Sequence, residues 1–225
     1  MDDRGMRGLA PRILLINPNT NRATTAMMVA IAQAEAGDAM IVEGATAASG
    51  VPMILDEAAL AASAEQVVAI GAGAAGAAGM IVAAFGDPGL ETLRGRVTVP
   101  VVGLCEAGML EAAAGGRRFG VATTTPALAA TIDAKARALG LGPLYTGIRL
   151  TPGDPAALVG DPELLETALA DAVALAIERD GAEAVVIGGG PLGRAASALE
   201  RRFAVPVIGP IPAAIRRLAR LLQER

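Results

Sequence analysis

The sequence predicts an α/β protein of two similar halves, each built on a parallel sheet, and three observations carry that expectation. Short uncharged runs such as Ile81–Ala84 and Val99–Leu104 have the character of strands covered on both faces. Each run leads into a polar or Gly/Pro-rich turn and then a helical stretch, the order of an α/β unit. The third observation is a repeat. IVAAFGDPGLETLRGRVTVPVVGL (Ile81–Leu104) returns as AVVIGGGPLGRAASALERRFAVPVIGPI (Ala184–Ile211), with 12 residues from Pro88 to Pro100 and 15 from Pro191 to Pro206. Internal similarity at this distance marks two related halves. They are expected at residues 1–100, completed by a C-terminal helix within 206–225, and at 101–205.

Taken in order, Arg12–Ile16 reads as the first strand, followed by Asn17-Pro-Asn-Thr-Asn-Arg and a helix from about Ala23. Ligands of α/β proteins sit at the carboxyl ends of such strands. Asn17, Asn19 and Thr20 offer helix caps, or amide and hydroxyl contacts to an anion or carbonyl. Ala39–Glu43 is a second strand and Thr46–Pro52 a flexible loop able to overhang a site. Asp56–Ala78 reads as one long helix, its Asp-Glu start favoured by the helix dipole. A helix from Cys105 ends at Gly115-Gly116; Phe119–Ala122 then opens the second half, and Thr123-Thr124-Thr125-Pro126 leads into its helix. Leu144–Leu150 is a strand, with Tyr145 packed in it, and Thr151–Asp161 a second lid. Glu163–Arg179 is an amphipathic helix, and Ala213–Leu222 a closing helix with Arg216, Arg217 and Arg220 on a solvated face.

Composition removes many functions. Hydrophobic residues make up 53% of the chain, yet the longest apolar stretch, Ile70–Phe85, carries four Gly, so no membrane span is expected. A net charge of −4 without a basic stretch argues against nucleic acid. MDDRGMRGLAPR lacks the apolar core of a secretory signal, and one cysteine excludes an internal disulfide; a cytoplasmic protein is expected. There is no His and only one Lys, Lys135, within a polar helical run. Ser-His-Asp and Cys-His catalysis, His-ligated metals and Cys-rich metal sites are therefore excluded. No cofactor and no metal are expected, and a homo-oligomer acting on a small molecule is.

ILLINPNTN, AAFGDPGL, VPVVGLCEAGM, FGVATTTP and VVIGGGPLG, in this order, resemble the aspartate/glutamate/hydantoin racemase superfamily, nearest its hydantoin and allantoin racemases. The resemblance covers nearly the whole chain. It implies two flavodoxin-like half-domains related by a pseudo-two-fold, substrate in the cleft between them, and chemistry without cofactor or metal. It also implies two cysteines, one per half, that remove and return a proton on opposite faces of a carbon beside a carbonyl. Here the expected positions hold Ala84 and Gly189. The superfamily's decarboxylases keep one of the two cysteines, and this chain lacks that one as well.

Cys105 and Glu106 are the replacement catalytic pair the sequence offers. Cys105 follows a strand near a helix start, where its thiol pKa would be lowered and its sulfur exposed to the cleft; Glu106 would act as general acid or base. Phe85, Gly86, Asp87, Thr123, Thr124 and Pro191 are expected around the substrate, with backbone N–H groups of Gly188, Gly189 and Gly190 on an oxyanion. Three functions follow. The first is a cofactor-free hydrolase or lyase attacking a ring carbonyl or thiocarbonyl of a hydantoin-like cyclic amide, including sulfur removal from a thiohydantoin. The second is a racemase with other bases, and the third a non-catalytic small-molecule binding protein.

Overall fold

The structure, a computed structural model, describes residues 10–225; most of the N-terminal stretch read above lies outside them. In the first half β1 (Arg12–Asn17), β2 (Ile41–Thr46), β3 (Gly79–Val82) and β4 (Val101–Gly103) form a sheet of order β2-β1-β3-β4. In the second half β5 (Phe119–Thr123), β6 (Tyr145–Leu150), β7 (Ala184–Ile187) and β8 (Val207–Ile208) form a sheet of order β6-β5-β7-β8. Every strand pair is parallel. The repeat read from the sequence is thus a repeat of topology. The central strands β3 and β7 are buried along their whole length, which explains their uncharged, largely β-branched sequences.

The helices are α1 (Arg22–Ala36), α2 (Glu57–Gly73), α3 (Leu90–Arg94), α4 (Leu104–Ala112), α5 (Ala129–Ala138), α6 (Pro155–Gly160), α7 (Pro162–Glu178), α8 (Gly193–Leu199) and α9 (Pro210–Gln223). None of the described helices is long and apolar enough to cross a membrane. The long helix expected to Ala78 stops at Gly73, because the poor helix formers after it make a turn with Gly76 at φ 76° before β3 starts at Gly79. Within the expected second lid, Asp154 caps the six-residue α6 through the amide of Ala157. The first sheet runs on through β4, so the chain crosses to the second half after Gly103 rather than at residue 100. Likewise β8, beyond residue 205, still belongs to the second sheet.

α4 and α9 pack together at the junction of the halves. Ile13, Leu15, Ile81 and Val102 of the first sheet share one apolar cluster with Phe119, Val121, Val186 and Ile208 of the second, and Met109, Ile211, Ile215 and Leu218 complete it. Each such fully buried side chain contributes about 1.5–3 kcal/mol. Of the arginines of α9 expected on a solvated face, Arg220 is exposed, but Arg216 and Arg217 are half-buried in ion pairs. Arg216 pairs with Glu35 of α1 at 2.7 Å and Glu111 of α4 at 2.6 Å, and Arg217 pairs with Glu106 at 3.1 Å. Arg94 of α3 reaches the other Glu106 oxygen at 2.6 Å. Glu106 is buried there, away from the cleft, as the tie of α3, α4 and α9.

Replacing Glu106 by Leu leaves two guanidinium groups facing a carboxylate that has gone. The expected loss is roughly 3 kcal/mol, read as a lower urea midpoint at unchanged slope; Glu106→Gln, which keeps acceptor and shape, loses less.

Candidate active-site cleft

The cleft lies where the carboxyl ends of β1, β3, β5 and β7 face one another. From the first half come Asn19, the loop residues Met53–Leu55, Leu60, and Ala83–Phe85. From the second come Thr123–Thr125, Leu128, Ile132, Val159 and Gly188–Leu192. The cavity between them is about 50 Å³, small beside the several hundred of a drug-sized site. Ala84, after β3, and Gly189, after β7, line this same cavity.

The polar turn after β1 is built from its own side chains. Asn17 is fully buried, and its amide donates to Asn19 Oδ1 at 2.9 Å, Thr25 Oγ1 at 2.9 Å and the Asn21 carbonyl at 3.2 Å. Its Oδ1 accepts the Asn19 N–H at 3.2 Å. Asn17 therefore shapes the turn and does not line the cleft. The helix cap is Asn21, which accepts the Thr24 N–H at 3.1 Å, and not Asn17, Asn19 or Thr20. Thr20 donates its N–H to the Val51 carbonyl at 3.1 Å, tying down the overhanging loop. Asn19 does reach the cleft. Its Oδ1 accepts the Asn21 N–H at 2.9 Å, and an N–H needs an acceptor, so the amide's orientation is fixed. The NH2 group is left as a donor at the cleft.

Across the cleft, Thr123 is fully buried and donates to the Gly188 carbonyl at 2.6 Å, which leaves Thr124 as the neighbouring hydroxyl lining the cavity. Of the three glycine N–H groups expected to form an oxyanion site, that of Gly188 donates to Ala122 at 2.8 Å and that of Gly189 to Ile187 at 3.2 Å. Gly190 is the remaining donor. Gly188 has a packing reason to be glycine: a Cβ there would lie 2.9 Å from Val121 and 3.1 Å from the ring of Phe85, which closes over it from the other half.

Asp87 and Gly86 lie behind the cleft wall. The Asp87 carboxylate is wholly buried and accepts the N–H groups of Cys105 and Glu106, each at 2.8 Å, so it caps α4 from a separate loop. Lys135 of α5 completes its shell at 3.0 Å. Burial pushes the Asp87 carboxyl up, opposed by Lys135 and the two amides. The polar helical run around Lys135 thus hides an ion pair. Gly103 is required by this arrangement, since a Cβ would stand 2.2 Å from the Asp87 carboxyl carbon.

Cys105 is where sequence and structure part. It stands in the first turn of α4, as expected, yet the side chain points inward, is fully buried, and rests 4.0 Å from the Met109 sulfur. Burial, and then the Asp87 charge, push the thiol pKa well up rather than down. The dipole advantage of a helix start is outweighed by the loss of water and by a carboxylate already seated on those amides. Neither Cys105 nor Glu106 lines the cleft, and among the described residues no Asp, Glu, Lys, Arg, Cys or Tyr does. Sequence reasoning missed the apolar walls: Met53–Leu55, Leu60, Leu128, Ile132, Val159 and Leu192. The i, i+4 spacing of Leu128 and Ile132 ahead of a polar helix was the available signal.

Native Cys105 is expected to resist iodoacetamide and to react only on unfolding, with no acceleration as pH rises through the ordinary thiol range. Cys105→Ser should cost about 1–3 kcal/mol through a buried hydroxyl, measured by denaturation, with ligand affinity of the folded protein unchanged.

Residues 13–218 match the profile of the family described as Asp/Glu/Hydantoin racemase. A hydantoin racemase from Rhizobium meliloti is 32% identical over 142 residues, 63% of this chain and 59% of that protein; the match thus spans less than two thirds of the relative's length. An allantoin racemase structure from Klebsiella pneumoniae superposes with a TM-score of 0.90 at 29% identity, covering 95% of this chain and 88% of that one. One from Pseudomonas fluorescens gives 0.89 at 26% identity, covering 95% and 91%. The chain therefore belongs to the Asp/Glu/hydantoin racemase family.

Proposed function

We propose that the cleft recognises a small, uncharged cyclic amide of the hydantoin class carrying an apolar substituent, and binds it without side-chain proton transfer. One observation carries this reading: Ala84 and Gly189 follow the two central strands at a cavity that no titratable side chain lines among the described residues. An amino-acid or dicarboxylate ligand would bury charge without a partner, which costs several kcal/mol. A neutral ring instead meets the Asn19 amide, the Thr124 hydroxyl and the Gly190 N–H. Its substituent meets leucine, isoleucine and valine, which favours an alkyl or benzyl group over a polar ureido group.

The hydrolase or lyase reading depended on Cys105 and Glu106 reaching the ring, and their burial away from the cleft withdraws its support. A second reading is favoured by the names of the relatives: racemisation with a proton carried by bound water or a group behind the wall.

The test uses enantiopure 5-benzylhydantoin in heavy water, with calorimetry for binding and magnetic resonance for exchange at the ring carbon. The expected result is saturable binding, with exchange and racemisation no faster than in buffer. Saturable exchange in the natural protein would establish the racemase reading instead; ring opening would restore the hydrolase, and absence of binding would remove the ligand class. Ala84→Cys with Gly189→Cys should fold, because Gly189 has an extended φ of 164° and its new Cβ would meet only the flexible Leu192 side chain, at 3.0 Å. The cost is about 1–3 kcal/mol, and the double variant should gain exchange over the natural protein.

A further inference from the structure

α5 presents one face to the first half. Leu128 just before it and Ile132 within it line the cleft, while Thr131 and Lys135 bond across the junction. Thr131 donates to Glu57 of α2 at 2.9 Å, directly after the overhanging loop, and the Lys135 ammonium meets Asp87 at 3.0 Å. Residues 128, 131, 132 and 135 are the i, i+3, i+4, i+7 positions of a single helical face. Asp87 in turn holds the turn that ends in the cleft wall. It has a φ of 52°, a left-handed conformation costly for a residue with a Cβ, and its N–H donates to the Ala84 carbonyl at 3.1 Å. Such a conformation persists only when its surroundings over-determine it, and the two α4 amides with Lys135 are what surrounds the carboxylate.

We infer that Lys135 is a positioning residue for the cleft: reaching from the second half to Asp87, it holds the Ala84–Asp87 turn in its cleft-lining form and, with Thr131, sets the approach of the two halves. It touches no ligand. A ligand held between Asn19 and Phe85 on one side and Thr124 and Ile132 on the other closes the same junction, so occupancy and the Lys135–Asp87 contact reinforce each other. That coupling rests on the ligand class proposed above; the hold on the turn does not.

The experiment therefore has a ligand-free arm and a ligand arm, on the full chain. In the first, amide hydrogen exchange is compared in the natural protein, Lys135→Met and Lys135→Arg. The amides of Asp87, Cys105 and Glu106 should exchange about tenfold faster in Lys135→Met, those of β5 should not change, and Lys135→Arg should restore slow exchange. A uniform rise over both halves, no rise, or failure of arginine to rescue overturns the inference, because each assigns Lys135 to packing alone. Should Lys135→Met not fold, the natural protein still decides. Lys135 is its only lysine, and acetylation by an N-hydroxysuccinimide ester, read on its peptide, should be about tenfold slower in native than in urea-unfolded protein. Equal rates overturn the inference. In the ligand arm, 5-benzylhydantoin should slow acetylation further and bind Lys135→Met about tenfold more weakly. Binding with neither effect overturns the coupling, whereas absence of binding to the natural protein overturns the ligand class and leaves the exchange result to stand.

Discussion

One buried carboxylate organises this molecule. Asp87 collects the amides of Cys105 and Glu106 in the first turn of α4, neutralises an ammonium from the opposite half, and itself holds a left-handed backbone conformation. Three consequences follow from that single group. α4, the helix joining the sheets, starts where it does because its orphan donors are satisfied from outside. Gly103 must lack a Cβ, since the carboxyl carbon occupies the space. The sulfur of Cys105 turns inward, because the site an anion would take at that helix start already holds one. A buried ion pair is weak evidence for net stability; what this one supplies, with the Thr131–Glu57 hydrogen bond, is a defined geometry between two halves that share a largely apolar cluster.

The apolar strands, the repeat and the strand–turn–helix order were legible in the sequence because parallel strands buried on both faces leave a run of uncharged residues that nothing else needs. Boundaries were less so. The stretch Ala74–Ala78 is apolar enough to continue α2, yet with Gly76 and the glycines around it the helix propensity is too low to do so, and the distinction is a matter of backbone entropy that apolar pattern does not register. The cleft was legible where backbone topology alone decides. Residues after β3, β5 and β7, among them Phe85, Thr124 and Gly189, are brought together because parallel sheets gather strand ends.

Side-chain direction within the first turn of a helix was not legible. Cys105 and Glu106 are adjacent and both buried, but one faces Met109 and the other two arginines. Neither partner set has a local signal: Arg94 and Arg217 are 12 and 111 residues from Glu106. The same holds for Asn17, whose amide looks available in sequence and is consumed by Asn19, Asn21 and Thr25. A turn rich in hydrogen-bonding side chains uses most of them on itself, and only the group left over, the Asn19 amide, faces outward.

The distribution of polarity then separates what the scaffold needs from what chemistry at the cleft would need. Among the described residues, the buried carboxylates and their partners serve the junction of the halves or the packing of α9: Asp87 with Lys135, and Glu106 with Arg94 and Arg217. None faces the cavity. Ala84 and Gly189 lie just beyond strand ends and line the cavity, so a change of identity there leaves the strands in place, with the flexible Leu192 side chain giving way at Gly189. A fold of this kind fixes the shape of its cleft independently of the reactive groups placed there, and fold alone therefore does not specify reaction. For this chain, the neutral donors of Asn19, Thr124 and Gly190 and the surrounding aliphatic walls are what the proposed recognition of a neutral ring rests on, while Ala84 and Gly189 at the strand ends carry no acid or base.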